Sequence, residues 1–366
     1  MLLLVYPVDA TLFGQTFRLP ADLAQLQEFA RTDSTEATAH YFVGLGWWDA
    51  GKLPEADSAL RRAITIDPRF ADAYLALAYL RLFRWRSDGR VNLRDGNVIL
   101  QSSERREEAE RLGRRAFLIN PLVDLPVVSG RGSSFAAMFG GSYAELFDEI
   151  EREARRYNER KHPERVPREI RWVRGMVAAR LDKHDLAITD FEALLAWAIK
   201  ADTATTFAGL AFTANQFRYL LAVFNHRAGR LERAKELYRT AAEMDLGLYM
   251  AHVQLAGIYT EEGKLDSAVA ERRIAALVDP DDSSVHVELA VTLLQAGLAH
   301  QAVEPLIRAG ELNRHDARVP YLLGVIAATG GQVDEARGYL THFLAIAPSR
   351  MADQVTDARR RLAELP

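Results

Sequence analysis

Small and apolar residues return along the chain in a fixed helical stripe. In three consecutive blocks it reads His252/Leu255/Ala256/Tyr259, His286/Leu289/Ala290/Leu293 and Pro320/Leu323/Gly324/Ala327. Steps of three, one and three residues place each set on one face of a helix with 3.6 residues per turn. After each stripe comes a glycine and a second helical pattern. The segments Gly229-Arg-Leu-Glu-Arg-Ala234, Gly263-Lys-Leu-Asp-Ser-Ala268, Gly297-Leu-Ala-His-Gln-Ala302 and Gly331-Gln-Val-Asp-Glu-Ala336 stand 34 residues apart. Gly51-Lys-Leu-Pro-Glu-Ala56 repeats the pattern near the start. A fixed period of this size is the mark of a helical repeat array, so it is read before anything else.

This 34-residue helix–turn–helix pattern resembles the tetratricopeptide repeat. With the alanine set at repeat position 20, units start at Ala37, Ala71, Arg168, Asn215, Tyr249, Ser283 and Ala317. Position 8 is then Gly44, Ala78, Gly175, Ala222, Ala256, Ala290 and Gly324. Only a small residue there lets two helix axes approach closely. The glycine at position 15 suits a left-handed helix cap, and in the third unit Asp182 takes its place. The predicted fold is all-α: an α-α superhelical solenoid of about seven tetratricopeptide-like hairpins with a C-terminal capping helix. Such hairpins bury their faces only against neighbours and need capped ends.

The period divides the chain. Residues 1–36 are an N-terminal segment and capping helix, with the helix itself expected over 21–31. Residues 37–123 hold units 1 and 2 with a 19-residue insertion, 124–167 a Gly-rich loop and linking helix, 168–350 units 3 to 7, and 351–366 the C-terminal cap. The insertion carries two Asp-Gly pairs, at Asp88-Gly89 and Asp95-Gly96, and reads as an extended loop or hairpin. Ser142-Tyr-Ala-Glu145 is a capping box that opens a helix to about Lys161. Residues 202–214 are expected to lengthen the first helix of unit 4 backwards to Thr206. The apolar start, Met1 to Val8, is cut by Pro7 and Asp9; it is expected to lie in the aromatic groove of its own molecule or a neighbour.

Composition narrows the functions. The chain has 366 residues, 49% hydrophobic and 26% charged, with 46 cationic against 50 acidic groups and a net charge of −4. That is a folded chain with no bulk basic field for nucleic acid. It has no cysteine, which excludes disulfides, Cys-ligated zinc and thiol catalysis. No apolar run is long enough to cross a membrane, and the start lacks the positive region of a complete signal peptide. A cytoplasmic or a periplasmic location is compatible with that.

Catalytic constellations are not evident. Gly130-Arg-Gly132-Ser-Ser-Phe135 lacks the third glycine and the Lys-Ser or Lys-Thr of a phosphate loop. His40, His252 and His286 share one repeat position, but successive hairpins are ~8–10 Å apart, too far for ligands needed at ~2 Å. The expectation is no enzyme activity, no metal and no cofactor. The resemblance implies instead an inner groove formed by positions 2, 5, 9, 12 and 13. There the partner-binding residues would be Tyr41, Leu45, Trp48, Leu75, Tyr79, Phe83, Trp172, Met176, Tyr219, His226 and Arg227. A non-catalytic scaffold binding a protein or peptide segment in an apolar, aromatic groove is the leading reading, with self-association as a further property. The alternative is the repeat region of a longer bacterial signalling or transcription regulator.

Overall fold

The computed structural model describes residues 8–366 apart from 13–14, 20–21, 83–92, 95–96, 99–100, 121–142, 158, 160, 202–204, 208–209 and 349–350. The repeat register holds. The first helices of the units are α2 (Ala37–Asp49), α4 (Ala71–Leu82), α7 (Arg168–Arg180), α9 (Ala214–Arg227), α11 (Tyr249–Glu261), α13 (Ser283–Gln295) and α15 (Arg318–Thr329). Their partners are α3 (Leu53–Ile66), α5 (Ser103–Ile119), α8 (His184–Ala201), α10 (Leu231–Met244), α12 (Leu265–Val278), α14 (Ala299–Leu312) and α16 (Val333–Ile346). Between them stand α1 (Leu23–Thr32) at the start, α6 (Tyr143–Arg156) in the linking region and the capping helix α17 (Ala352–Glu364).

Each hairpin turns where a residue without steric penalty is available. Gly51, Gly229, Gly263, Gly297 and Gly331 all adopt φ between 72° and 75°, and Asp182 takes the same left-handed conformation at φ 55°. Position 8 behaves as its size requires. A Cβ on Gly44, Gly175 or Gly324 would come within 2.8, 2.8 and 2.7 Å of Leu60, Phe191 and Leu340 on the paired helices.

Three two-stranded antiparallel hairpins accompany the helices: β1 (Val8–Leu12) with β2 (Gln15–Leu19), β3 (Leu93–Arg94) with β4 (Asn97–Val98), and β5 (Thr205–Phe207) with β6 (Leu210–Phe212). The second pairs Leu93 with Val98 and Arg94 with Asn97, within the insertion read as an extended loop or hairpin; Asp95-Gly96 lies outside the described residues. The third corrects the sequence reading. Residues 205–212 do not extend the helix of unit 4; α9 starts at Ala214, with Thr213 and Gln216 forming a capping box. Thr205, Thr206, Phe207 and Phe212 are β-branched or aromatic, and that local preference outweighs the helical pattern downstream. The linking helix also stops early, at Arg156, and Pro163–Arg165 forms a short 3-10 turn before unit 3. The Gly-rich stretch 121–141 lies outside the described residues.

The chain divides into two compact units. One comprises residues 1–26, 41–61 and 70–245; the other 27–40, 62–69 and 246–366. The first is held by aromatic and charged layers. Arg174 stands where other units place an aliphatic knob and is 1% exposed. It reaches Asp190 at 2.7 Å and Glu159 at 2.5 Å, and Arg171 adds a third contact to Asp190 at 3.1 Å. The second unit packs Val287, Leu293, Leu306 and Val319 into one core, and Leu340, Phe343 and Ala358 into another beneath α17.

Candidate functional site

The inner face of the first helices divides sharply by burial. In the first compact unit, Tyr41, Leu45, Trp48, Leu75, Trp172, Met176 and Tyr219 are all buried, none more than 4% exposed. Tyr41 packs on Phe70 with ring centroids 4.9 Å apart. Trp172 meets Phe212 at 4.7 Å and Phe191 at 5.4 Å, so the end of the β5–β6 hairpin covers it. Tyr219 donates its hydroxyl to the Leu118 carbonyl at 2.5 Å and packs on Tyr238. These aromatic side chains are packed in the interior as the structure stands. Tyr79 and His226 are half-buried and Arg227 is exposed; Phe83 lies outside the described residues. Burial pushes the Tyr79 hydroxyl up to about 12, so it stays protonated at neutral pH. Partial desolvation of its guanidinium, followed by the field of Arg180, lowers the proton affinity of Arg227.

The second unit keeps its inner face open over the last turns of its first helices. Gly257, Thr260, Val291, Leu294, Val325 and Ala328 are half-buried. A Cβ added at Gly257 would meet nothing within 4 Å. None of the six is charged. The first turns of the same helices are closed: Met250, Val253, Ser284 and Val287 are buried. Here the segments 33–36 and 66–69 lie against the array. Asn313 Nδ2 donates to the Ile66 carbonyl at 3.0 Å, and Thr35 Oγ1 reaches the Ile346 carbonyl at 3.5 Å. Beside these contacts is a cavity of about 440 Å³ whose wall includes Arg69, Glu288, His315, Asp316, Arg318 and Gln354. Its charges are already paired. Glu288 takes both Arg69 and Arg272, and Asp316 takes the Arg318 guanidinium at 2.5–3.1 Å.

The three equivalent histidines have separate partners. His40 lies 3.2 Å from the Ser34 carbonyl, His286 2.9 Å from the Pro280 carbonyl, and His252 2.7 Å from Glu271. They do not converge, and no metal-ligating cluster of three occurs among the described residues.

Seven hairpins in the predicted register, five of them turning through a left-handed glycine at one repeat position and with Gly or Ala at the helix crossing, decide the class. The fold is a solenoid of tetratricopeptide-like helical hairpins. Tetratricopeptide arrays are also what it is similar to among solved structures. The C-terminal part of a tetratricopeptide-repeat protein from Cytophaga hutchinsonii is 17% identical, with a TM-score of 0.49, over 61% of this chain and 82% of that one. YrrB, described as a tetratricopeptide protein with an unusual peptide-binding site, is 23% identical with a TM-score of 0.36, over 40% of this chain and 76% of its own. Yeast Tom70 is 13% identical with a TM-score of 0.44, covering 94% of this chain and 58% of its own. No family model and no curated protein matches the sequence. No helix among the described residues is long and apolar enough to cross a membrane.

Proposed function

We propose that this solenoid of tetratricopeptide-like hairpins is a non-catalytic scaffold that holds an uncharged, apolar segment of a protein partner. The observation that carries the reading is the open strip in repeats five to seven, formed by Gly257, Thr260, Val291, Leu294, Val325 and Ala328. These residues stand on three successive first helices at the positions facing away from the second helices. They offer methyl and methylene surface without a fixed charge, which suits apolar anchors spaced along a segment. Within the first unit, the groove candidates that reach its surface are Tyr79, His226 and Arg227. The buried residues Tyr41, Leu45, Trp48, Leu75, Trp172, Met176 and Tyr219 support that unit from its interior, and a partner would touch Tyr41 only after Phe70 moves and Trp172 only after Phe212 moves.

Gly257 provides the test, because its missing side chain faces free space. Peptides selected from a random displayed library on the intact chain are measured by titration against Gly257→Trp. The variant should lose at least about tenfold in affinity, the scale of one blocked anchor pocket, with an unchanged melting temperature. Peptides that bind both forms equally bind elsewhere, and the strip is then not the site.

A further inference from the structure

Arg62 on α3 and His315, in the loop before α15, meet at 3.1 Å between Nη1 and Nε2. A guanidinium has donors and no acceptor, so this is a hydrogen bond only when His315 Nε2 carries no proton. The contact therefore serves as a hydrogen bond only in the neutral tautomer that carries its proton on Nδ1. The pair belongs to the set of contacts that seats residues 33–36 and 62–69 on the last repeats, with Asn313 on the Ile66 carbonyl and Arg69 on Glu288 beside it.

The surrounding charges decide what a second proton would do. On the turn after α3 stand Asp67 and Arg69; on α13, Glu288; beside His315 itself, Arg314, Asp316 and Arg318. Two of the three carboxylates are held by arginines, and the third accepts only a backbone N–H. Asp67 accepts the Arg69 backbone N–H at 2.9 Å, Glu288 holds Arg69 and Arg272, and Asp316 holds Arg318. An imidazolium at 315 would face the Arg62 guanidinium at contact distance, while Glu288 and Asp316 are held by arginines. Burial and the Arg62 charge both lower the proton affinity of His315. Near the start of α2, His40 also feels the Arg62 charge against its protonation, partly offset by Glu36 and Asp33.

We propose that Arg62 and His315 form a proton-sensitive clasp, closed while the imidazole is neutral and released when it takes a proton. The sign follows from linkage. A histidine whose proton affinity is lowered in the closed state stabilises that state above the ordinary histidine range, and the stabilisation is lost as pH falls through it. Releasing the clasp would uncover the first turns of α13 and α15, next to the open strip.

The chain has no cysteine, so Thr65→Cys and Arg314→Cys place two nitroxide labels on opposite sides of the clasp without background. At pH 8 one short, narrow distance distribution is expected. Toward pH 5 a longer, broader component should grow, by up to about tenfold in the open-to-closed ratio per pH unit, while helical circular dichroism holds. His315→Gln should keep the pH 8 ratio down to pH 5, and Arg62→Met should weaken the pH dependence of the ratio without abolishing it. His40→Gln should leave the transition in place. A distribution unchanged between pH 8 and 5 in the labelled parent overturns the proposal. So does the same transition in His315→Gln, or a loss of helical signal over the same range, which would mark global unfolding.

Discussion

Asp49 ends α2 half-buried, and burial raises its carboxyl to about 6. Its negative charge also sits at a helix C-terminus, where the dipole opposes it. A raised carboxyl favours the folded state only while it is protonated, so stability falls as pH rises from about 4 to 6. Asp49→Asn should flatten that slope and raise the melting temperature at pH 7, read by thermal melts across the range. Arg174 is the opposite case. Its removal leaves Asp190, 0% exposed, without its main counter-charge. Arg174→Ala should cost about 3–5 kcal/mol, the scale of an uncompensated buried charge, in denaturant titrations. The doubly substituted Arg174→Leu/Asp190→Leu should recover much of that loss.

At the scale of the helical hairpin, size at the crossing is decisive. Gly324→Leu should cost about 1–3 kcal/mol by overpacking against Leu340, whereas Gly338→Ala, inside the helix with free space around it, should stabilise by about 0.5–1 kcal/mol in the same chemical melts. The capping helix is held differently. Asp357 accepts from Arg361, Arg360 and Tyr321, the first contact contributing most, and its carboxyl is lowered to about 2. A depressed carboxyl stabilises above its ordinary value and ceases to as pH falls from about 4 to 2. Hydrogen exchange in α17 should accelerate over that interval, and Asp357→Asn should abolish the dependence. These elements were legible because their causes are local: a small residue at position 8, a left-handed turn at position 15, Asp182 included. The 205–212 hairpin was misread because its Thr-Thr-Phe signal is short and stands beside a strong helix. The interior placement of Tyr41, Trp48 and Trp172 was illegible for another reason. A 34-residue period says which face a residue occupies, but nothing about which distant segment covers it.

At the scale of the whole chain, covering segments of this kind set the pattern of stability. Asn313 is 4% exposed and joins two segments 247 positions apart through the Ile66 carbonyl. Asn313→Ala leaves a buried acceptor unsatisfied, at about 1–3 kcal/mol, and it also removes the side-chain acceptor of the His315 N–H. Hydrogen exchange should rise at residues 62–69 and 313–318 together, while the 168–201 hairpin stays protected. Equal acceleration everywhere would show that the contact supports the global fold and not a local closure.

The link from Thr35 to Ile346 spans 311 positions, and that distance has a cost in time. Most repeat arrays are completed by neighbour contacts as they emerge. At about 5–20 residues per second, the first two turns of this chain wait roughly 15–60 s for the repeats that receive them. Until then those turns remain open to proteases and to other nascent chains. The last repeat is thus a gate on biogenesis, and a ribosome stalled before residue 313 releases a chain whose opening helices have formed but whose first turns have nowhere to dock.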